Sequence, residues 1–226
     1  MSTHDMPYAT RRQPQMFDPI RDCTPGITRR TSLASACVLV AITSTALACV
    51  GGCATTPRSD PYNPLTEADR DSTLAGRLNE QASEVMDKDP AQAESLLRKA
   101  LAADLYCGPA HNNLGVLMLR KGDLYGAASE FEWARKLMPG HPDPRMNLAM
   151  TLEAAGRTDD ALDAYASALE AYPEHLPSMQ ALVSLQIRTG KADDRTPAML
   201  REIAMRGESD AWKSWARTQI AMREGR

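Results

Sequence analysis

The sequence contains a repeat, because two stretches of the chain match each other at a shift of 34 residues. Small residues recur at fixed offsets in both stretches, and a proline closes each of them. A period of this length is typical of helical repeat arrays, in which each helix pair buries its apolar face against the next pair. The matched positions are Leu114 and Leu148, Gly122 and Gly156, Ala127 and Ala161, Phe131 and Tyr165, Ala134 and Ala168, and Pro139 and Pro173.

Each matched stretch has the pattern of two helices joined by a turn. Gly115 and Ala149 each follow a core leucine, and a small residue there lets the two helices of a pair approach closely. Gly122 and Gly156 are placed to end the first helix, where a left-handed backbone costs glycine little. The sequence therefore predicts helix pairs of nearly constant geometry.

This pattern resembles the tetratricopeptide repeat family. The resemblance implies an all-α fold, a right-handed superhelical solenoid of about four helix pairs with a C-terminal capping helix. In the last unit Pro197 fits only the first turn of a helix, so we expect that helix to begin near Arg195 or Thr196. Trp212 and Trp215 are expected to pack the cap. The units are residues 74–107 (weak), 108–141, 142–175 and 176–207 (degenerate), and the cap helix is 209–223.

The N-terminal part of the chain has the pattern of an export leader. Arg29 and Arg30 precede an uncharged apolar stretch at 33–50, which is the order of a signal peptide. The stretch ends in Val-Gly-Gly-Cys at 50–53, which resembles a bacterial lipobox. The resemblance implies that the leader is cut before Cys53 and that its thiol carries a diacylglycerol.

Two other outcomes stay open for this leader. The 18 residues of 33–50 are at the lower limit for an uncleaved membrane anchor, and cleavage after Ala48 would leave no lipid. With the lipobox interpretation, we expect anchoring in the cell envelope facing the periplasm, and Ala54 favours the outer membrane over the inner one. The predicted organisation is a leader at 1–52, a lipidated cysteine with a proline-rich linker at 53–73, and a repeat domain at 74–226.

The cysteines fit an exported protein. Cleavage before Cys53 leaves only Cys53 and Cys107 in the mature chain. Lipidation of Cys53 then removes the one possible partner of Cys107. We therefore expect no disulfide framework, and an inert, partly buried thiol at Cys107.

The composition argues against several function classes. A formal net charge of -3 gives no basic surface for nucleic acid. No set of His, Cys and acidic residues has metal-ligand spacing, and His141 and His175, at the same offset of two units, are expected roughly 10 Å apart. No nucleophile has a base nearby in sequence, and no phosphate loop is present. We expect no enzyme, no cofactor, no metal and no small-molecule substrate.

The resemblance implies a protein-binding groove lined by the first helix of each pair. The function expected is an interaction scaffold or adaptor in the envelope, for protein partners whose identity the sequence does not give. The alternatives are a regulatory subunit of a single envelope enzyme and a structural oligomeric surface protein. The predicted exposed groove positions are Asn112, Val116, Leu119, Arg120, Met146, Met150, Glu153, Gln180, Ser184, Ile187 and Arg188.

Two further positions bear on the partner. Some family members hold a C-terminal carboxylate, and Asn113 matches one of their positions. Asp143 and Met146 stand where those members need cations or amides, so we do not expect such a clamp. Trp133 falls at an offset that is usually exposed and is a candidate contact, or it is partly covered by Tyr125 or the linker.

Overall fold

The computed structural model describes residues 19–20 and 70–224. Residues 19–20 and 71–224 belong to one compact unit, and of the second unit, Thr24–Arg70, only Arg70 is described. The leader stretch at 33–50 and Cys53 lie outside the described residues. The nine helices in the described part are α1 (Ser72–Val85), α2 (Pro90–Ala103), α3 (Gly108–Lys121), α4 (Leu124–Leu137), α5 (Asp143–Ala154), α6 (Thr158–Ala171), α7 (Leu176–Thr189), α8 (Thr196–Arg206) and α9 (Asp210–Glu224).

The helices stack in chain order. Each helix packs against the next, and the first helices of successive pairs also touch, α1 against α3 and α3 against α5. Within residues 70–224 there is no strand. The expected all-α superhelical repeat is thus confirmed.

Short polar and glycine signals set the ends of the helices. Asp71, Asp89 and Asp123 each accept a hydrogen bond from the backbone N–H three residues later, which caps α1, α2 and α4. Gly122, Gly156 and Gly190 follow the first helices with φ of 82°, 76° and 71°. That left-handed backbone closes the helix and turns the chain into its partner.

Close approach of the paired helices depends on small residues. Gly115 on α3 packs against the Phe131 ring of α4, and a Cβ there would lie 2.7 Å from a ring carbon. The equivalent Ala149 on α5 is fully buried, and Tyr165 takes the place of Phe131. The predicted small-residue contact is therefore present in both central pairs.

The last helices close the array. α8 begins at Thr196, with Pro197 in its first turn as expected. α9 packs on α8, where Trp212 and Ala216 are buried in a cluster with Leu200. Trp212 and Trp215 meet edge to face with ring centroids 5.2 Å apart. Along the described part of the chain, every helix is too short or too polar to cross a bilayer.

Candidate functional site

Two asparagines, one on α1 and one on α3, hold the backbone of a single residue. The Asn113 side chain accepts the Ile20 N–H at 3.0 Å and donates to the Ile20 carbonyl at 2.8 Å. Asn79 donates to the same carbonyl at 2.7 Å. Asn113 also donates to Asn79 Oδ1 at 2.9 Å, which fixes the orientation of both amides. The pair therefore presents a donor and an acceptor to the two backbone polar groups of one residue.

Further amides continue from this pair toward α7. Asn112 donates to Asn113 Oδ1 at 3.4 Å, and Asn147 on α5 donates to Asn112 Oδ1 at 2.9 Å. Gln180 on α7 stands 68 residues after Asn112, which is two repeat periods. We refer to the five side chains Asn79, Asn112, Asn113, Asn147 and Gln180 as the amide row.

The far end of the amide row has unused hydrogen-bonding capacity. Gln180 is fully buried, and neither its Oε1 nor its Nε2 has a hydrogen-bond partner among the residues that the structure describes. Asn147 is 3% exposed, and its Oδ1 likewise has none. Buried amide atoms are nearly always paired, so these atoms mark the place in the amide row where a hydrogen-bond partner is most needed.

A pocket of about 250 Å³ lies between α5, α6 and α7. Arg188 donates to Glu153 Oε1, and the Tyr165 hydroxyl donates to Glu153 Oε2 at 3.1 Å. Met150 and Ala181 add apolar lining. The pocket thus combines an apolar wall with a charged edge whose partners are already fixed.

Ala154 lines the pocket at an offset where the neighbouring units carry arginine. The residue equivalent to Ala154 is Arg120 in the preceding repeat and Arg188 in the following repeat. Arg120 pairs with Asp87 at 2.8 Å, and Arg188 pairs with Glu153, so each arginine reaches back to the preceding first helix or its turn. At Ala154 the arginine is missing, and the alanine lines the pocket.

The predicted groove residues differ in how much of them reaches solvent. Arg120 and Arg188 are exposed, and four more are half-buried: Leu119, Met150, Glu153 and Ile187. Four of the eleven line the pocket, namely Met150, Glu153, Ser184 and Arg188. The expectation of exposure is wrong for the remaining five, which are buried: Asn112, Val116, Met146, Gln180 and Ser184.

Packing between neighbouring first helices accounts for part of this difference. Val116 belongs to the apolar cluster that joins α1, α2, α3 and α4. Met146 belongs to the next cluster, with Tyr165 and Leu182. Asn112 is enclosed by its bonds within the amide row. Val116 and Met146 are therefore core residues, and Met150 is the methionine within reach of a partner.

Cys107 corrects a prediction made from the sequence. It is 2% exposed and is disulfide-bonded, not a free thiol. No other cysteine lies in the described residues, so its partner is outside them. The sequence pattern did not predict this disulfide, because cleavage before Cys53 would leave Cys23, Cys37 and Cys49 out of the mature chain.

Two loop histidines converge on one carboxylate. His141 Nδ1 lies 3.8 Å from Asp143 Oδ2, and His175 Nε2 lies 3.3 Å from Asp143 Oδ1. His175 Nδ1 also contacts the Ser178 hydroxyl at 2.7 Å. The described residues contain no group of three or more side chains suited to a metal ion. The shared Asp143 is thus a link between successive loops.

Trp133 stacks on His111, with ring centroids 5.7 Å apart and planes inclined by 13°. His111 Nδ1 contacts Glu130 Oε2 at 2.6 Å, and its Nε2 contacts the Leu105 carbonyl at 2.8 Å. The imidazole therefore ties α4 to the turn before α3. Trp133 is 43% exposed, and Tyr125, at 90% exposed, does not cover it.

Displaced carboxyl pKa values occur outside the amide row. Hydrogen bonds from Lys121 and then Arg98 lower the pKa of Glu94 on α2. Burial raises the pKa of Asp193, but hydrogen bonds from Thr196, the Arg195 backbone and Gln186 outweigh it, so the net shift is downward. Both carboxylates support packing between helices.

Comparison with known proteins supports a tetratricopeptide repeat protein. Residues 118–185 match the model of the tetratricopeptide repeat. The TPR repeat-containing thioredoxin TTL4 of Arabidopsis thaliana is 31% identical over 93 residues, which are 41% of this chain and 14% of that protein. The chain therefore spans only a small part of that relative's length.

Solved structures share the fold. A tetratricopeptide repeat protein from Parabacteroides merdae is 22% identical, with a TM-score of 0.55 over 68% of this chain and 61% of that one. The first repeat domain of Spaghetti (RPAP3), bound to an HSP90 peptide, is 19% identical, with a TM-score of 0.51 over 54% and 98% of the two chains. YrrB, described as having an unusual peptide-binding site, is 19% identical, with a TM-score of 0.51 over 65% and 76%.

Proposed function

We propose that this chain is a protein-interaction scaffold that binds an extended peptide segment of a partner along the amide row and into the adjoining pocket. One observation carries the proposal: both backbone polar groups of Ile20 are held by Asn79 and Asn113. Helical repeat arrays of this kind are typically binding modules without catalytic groups of their own.

Backbone capture suits an adaptor that accepts more than one sequence. The amide contacts bind the N–H and C=O that every residue except proline offers. Each such hydrogen bond contributes only about 0.5–1.5 kcal/mol net, so several are needed for useful affinity. We propose that the buried amides of Asn147 and Gln180, which have unpaired atoms among the described residues, turn toward the bound peptide and supply the next contacts.

The pocket beside Ala154 would add side-chain selectivity. Met150 is half-buried and flexible, and flexible methionines adapt to different apolar side chains. At the edge of the pocket, the charges of Glu153 and Arg188 already neutralise each other in an ion pair. A partner side chain with an apolar body therefore fits this pocket better than a charged one. A peptide-binding role is also supported by the likeness to a repeat domain solved with a bound peptide and to a repeat protein described as having a peptide-binding site.

For the setting, we propose the bacterial cell envelope, with the chain anchored by lipid on Cys53 and facing the periplasm. The support is in the sequence alone: two arginines, an apolar stretch at 33–50 and the lipobox-like residues 50–53. The proline-rich segment up to residue 73 would hold the solenoid away from the membrane. An outer-membrane position is the expected one.

The binding proposal is tested with paired arginine substitutions. Ala154→Arg adds a long, charged side chain at a residue that lines the pocket. Ala155→Arg adds the same side chain at the next exposed residue, which is not among the lining residues. Peptides selected from a random display library would be titrated against both variants by calorimetry. We expect Ala154→Arg to weaken binding by roughly tenfold or more and Ala155→Arg to leave it unchanged, with the same helical circular dichroism.

Other outcomes decide against the proposal. If no peptide enriches, or if Ala154→Arg binds as tightly as the parent chain, the groove is not the binding surface. A single stoichiometric enzyme recovered with the chain would favour the regulatory-subunit alternative. A large assembly of this chain alone in size-exclusion chromatography would favour the structural alternative.

A further inference from the structure

The residue held by the amide row belongs to this same chain. Ile20 lies 59 residues before Asn79 and 93 residues before Asn113 along the sequence. Ile20 and both asparagines fall in one compact unit. The backbone contact is therefore intramolecular, and its occupant is a segment that the lipobox interpretation assigns to the leader.

We propose that the N-terminal segment around Ile20 is an internal ligand of the amide row, which blocks partner binding there until the leader is removed before Cys53. This rests on the proposed peptide-binding function and names the first occupant of that site. The recognition is through the backbone, so any partner segment in the same extended conformation competes for the same three atoms: Asn79 Nδ2, Asn113 Oδ1 and Asn113 Nδ2.

A tethered ligand competes strongly even when its own affinity is modest. A segment on the same chain acts at an effective concentration in the millimolar range, well above that of a free partner. A partner must therefore displace Ile20 before it can use Asn79 and Asn113. Proteolytic cleavage before Cys53, together with reduction of any disulfide that joins Cys107 to a leader cysteine, converts an occupied site into an open one.

Membrane topology makes the occupied state specific to the precursor. A leader spanning the bilayer at 33–50 would put Ile20 on one side and residues 71–224 on the other. The contact between Ile20 and Asn113 then belongs to the chain before membrane insertion. Ile20 would thus occupy Asn79 and Asn113 before membrane insertion. Both asparagines would be free to bind a partner after the leader has been removed.

Photo-crosslinking of the full chain tests the contact directly. A photoreactive amino acid in place of Ile20 keeps the backbone N–H and C=O, and we expect its crosslink within one chain to α1 or α3 peptides. The crosslink should persist in reductant, should be lost with Asn79→Ala and Asn113→Ala together, and should remain with Gln92→Ala. Gln92 is the control because its side-chain amide is exposed on α2, outside the amide row.

Competition by a free peptide tests the blocking effect. The probe is a fluorescent peptide of residues 14–26 with Cys23→Ser, added to full-length chains. Ile20→Pro removes the N–H that Asn113 accepts, whereas Ile20→Ala retains it. We expect the probe to bind the Ile20→Pro chain at least about tenfold more tightly than the parent and Ile20→Ala chains.

Several results would overturn the internal ligand. They are crosslinks only between two chains, no crosslink at all, and equal probe binding by the parent and Ile20→Pro chains. Library-selected peptides that still respond to Ala154→Arg would then preserve the proposed function without the internal ligand. Loss of that response would instead overturn the proposed function itself.

Discussion

Asn79 and Asn113, which lie one repeat of 34 residues apart, are joined by a hydrogen bond of 2.9 Å and both donate to the carbonyl of Ile20. The sequence period is therefore expressed as a physical contact between α1 and α3. Asn147 continues the same offset on α5. The same 34-residue repeat that packs the helices therefore also places asparagine side chains next to one another. Two of these side chains, Asn79 and Asn113, bind the backbone of Ile20.

Gln180→Met should stabilise the chain. Gln180 is fully buried, and both of its amide atoms are unpaired among the described residues. A buried unpaired polar group costs about 1–3 kcal/mol. Methionine has a similar volume, and Met146 occupies the equivalent position one repeat earlier. We expect the free energy of unfolding in urea to rise by about 1 kcal/mol, with weaker binding of library-selected peptides.

Gln186→Met is the control for Gln180→Met, because its amide is fully engaged. Gln186 Nε2 donates to Asp193 Oδ2 at 3.0 Å, and Gln186 Oε1 accepts from Thr196 Oγ1 at 2.8 Å. The same substitution here should lower the free energy of unfolding by about 1–3 kcal/mol. Equal effects of both substitutions would show that Gln180 has a partner in solution.

Gly115→Ala should destabilise the second helix pair. The added Cβ would lie 2.7 Å from a Phe131 ring carbon, and Phe131 is fully buried, so the ring has little room to move. We expect a net loss of about 1–2 kcal/mol in urea unfolding, since overpacking outweighs the helix propensity gained by alanine. Gly140→Ala meets no atom within 4 Å and should change stability by less than about 0.5 kcal/mol. A neutral Gly115→Ala would mean that α3 and α4 sit farther apart than described.

The 34-residue period predicted the fold because the repeated residue types are those that helix packing requires. Small residues at Gly115 and Ala149 and the glycines after each first helix are direct consequences of helix spacing, so the helix pairs and the all-α repeat follow from them. The start of α8 near Thr196 was likewise fixed by the limits that Pro197 imposes.

The site was harder to predict because it depends on distant parts of the chain. The contact of Ile20 with Asn113 spans 93 residues, and no local pattern encodes it. The burial of Val116 and Met146 arises from contacts between neighbouring first helices, which a single helix pattern does not show. One signal was present in the sequence, the asparagine at the same offset of three successive units.

Asp193 should stabilise the start of α8 at neutral pH, and this contribution to the free energy of unfolding should be lost at acid pH. Asp193 Oδ1 accepts from the backbone N–H groups of Arg195 and Thr196, at 2.9 and 3.0 Å, in the manner of a helix cap. Its pKa is lowered in the folded chain, so the contribution is full above the ordinary aspartate pKa of 3.8 and is lost as the pH falls through the folded value. Asp193→Ala should cost about 1 kcal/mol at pH 7.

The pH dependence separates this cap from a general charge effect. We expect the difference in unfolding free energy between the parent and Asp193→Ala chains to shrink as the pH drops below 3.8. Asp194→Ala removes the same charge one residue later and should differ little from the parent at any pH. A constant Asp193→Ala effect between pH 7 and pH 3 would contradict the capping role.

The disulfide of Cys107 and the proposed lipidation of Cys53 can be tested through the same set of cysteines. The partner of Cys107 is one of Cys23, Cys37, Cys49 and Cys53. Cys23 is the expected partner in the full chain, since it lies three residues after Ile20, within roughly 10 Å of extended chain. Asn113, which holds Ile20, is six residues after Cys107, or roughly 9 Å along α3. Non-reducing peptide mapping of the uncleaved chain would identify the bond.

The same cysteines decide the anchor. A sulfur that carries lipid cannot also form a disulfide, so a bond between Cys53 and Cys107 in the mature protein would contradict the proposed lipidation. With lipid on Cys53, the Cys53→Ser chain should move from the detergent phase to the aqueous phase in membrane partitioning, because each buried methylene contributes about 0.8 kcal/mol. Cys107→Ser should stay in the detergent phase as the matched control. A Cys53→Ser chain that partitions like its parent would show that the membrane attachment, if any, comes from the apolar stretch at 33–50.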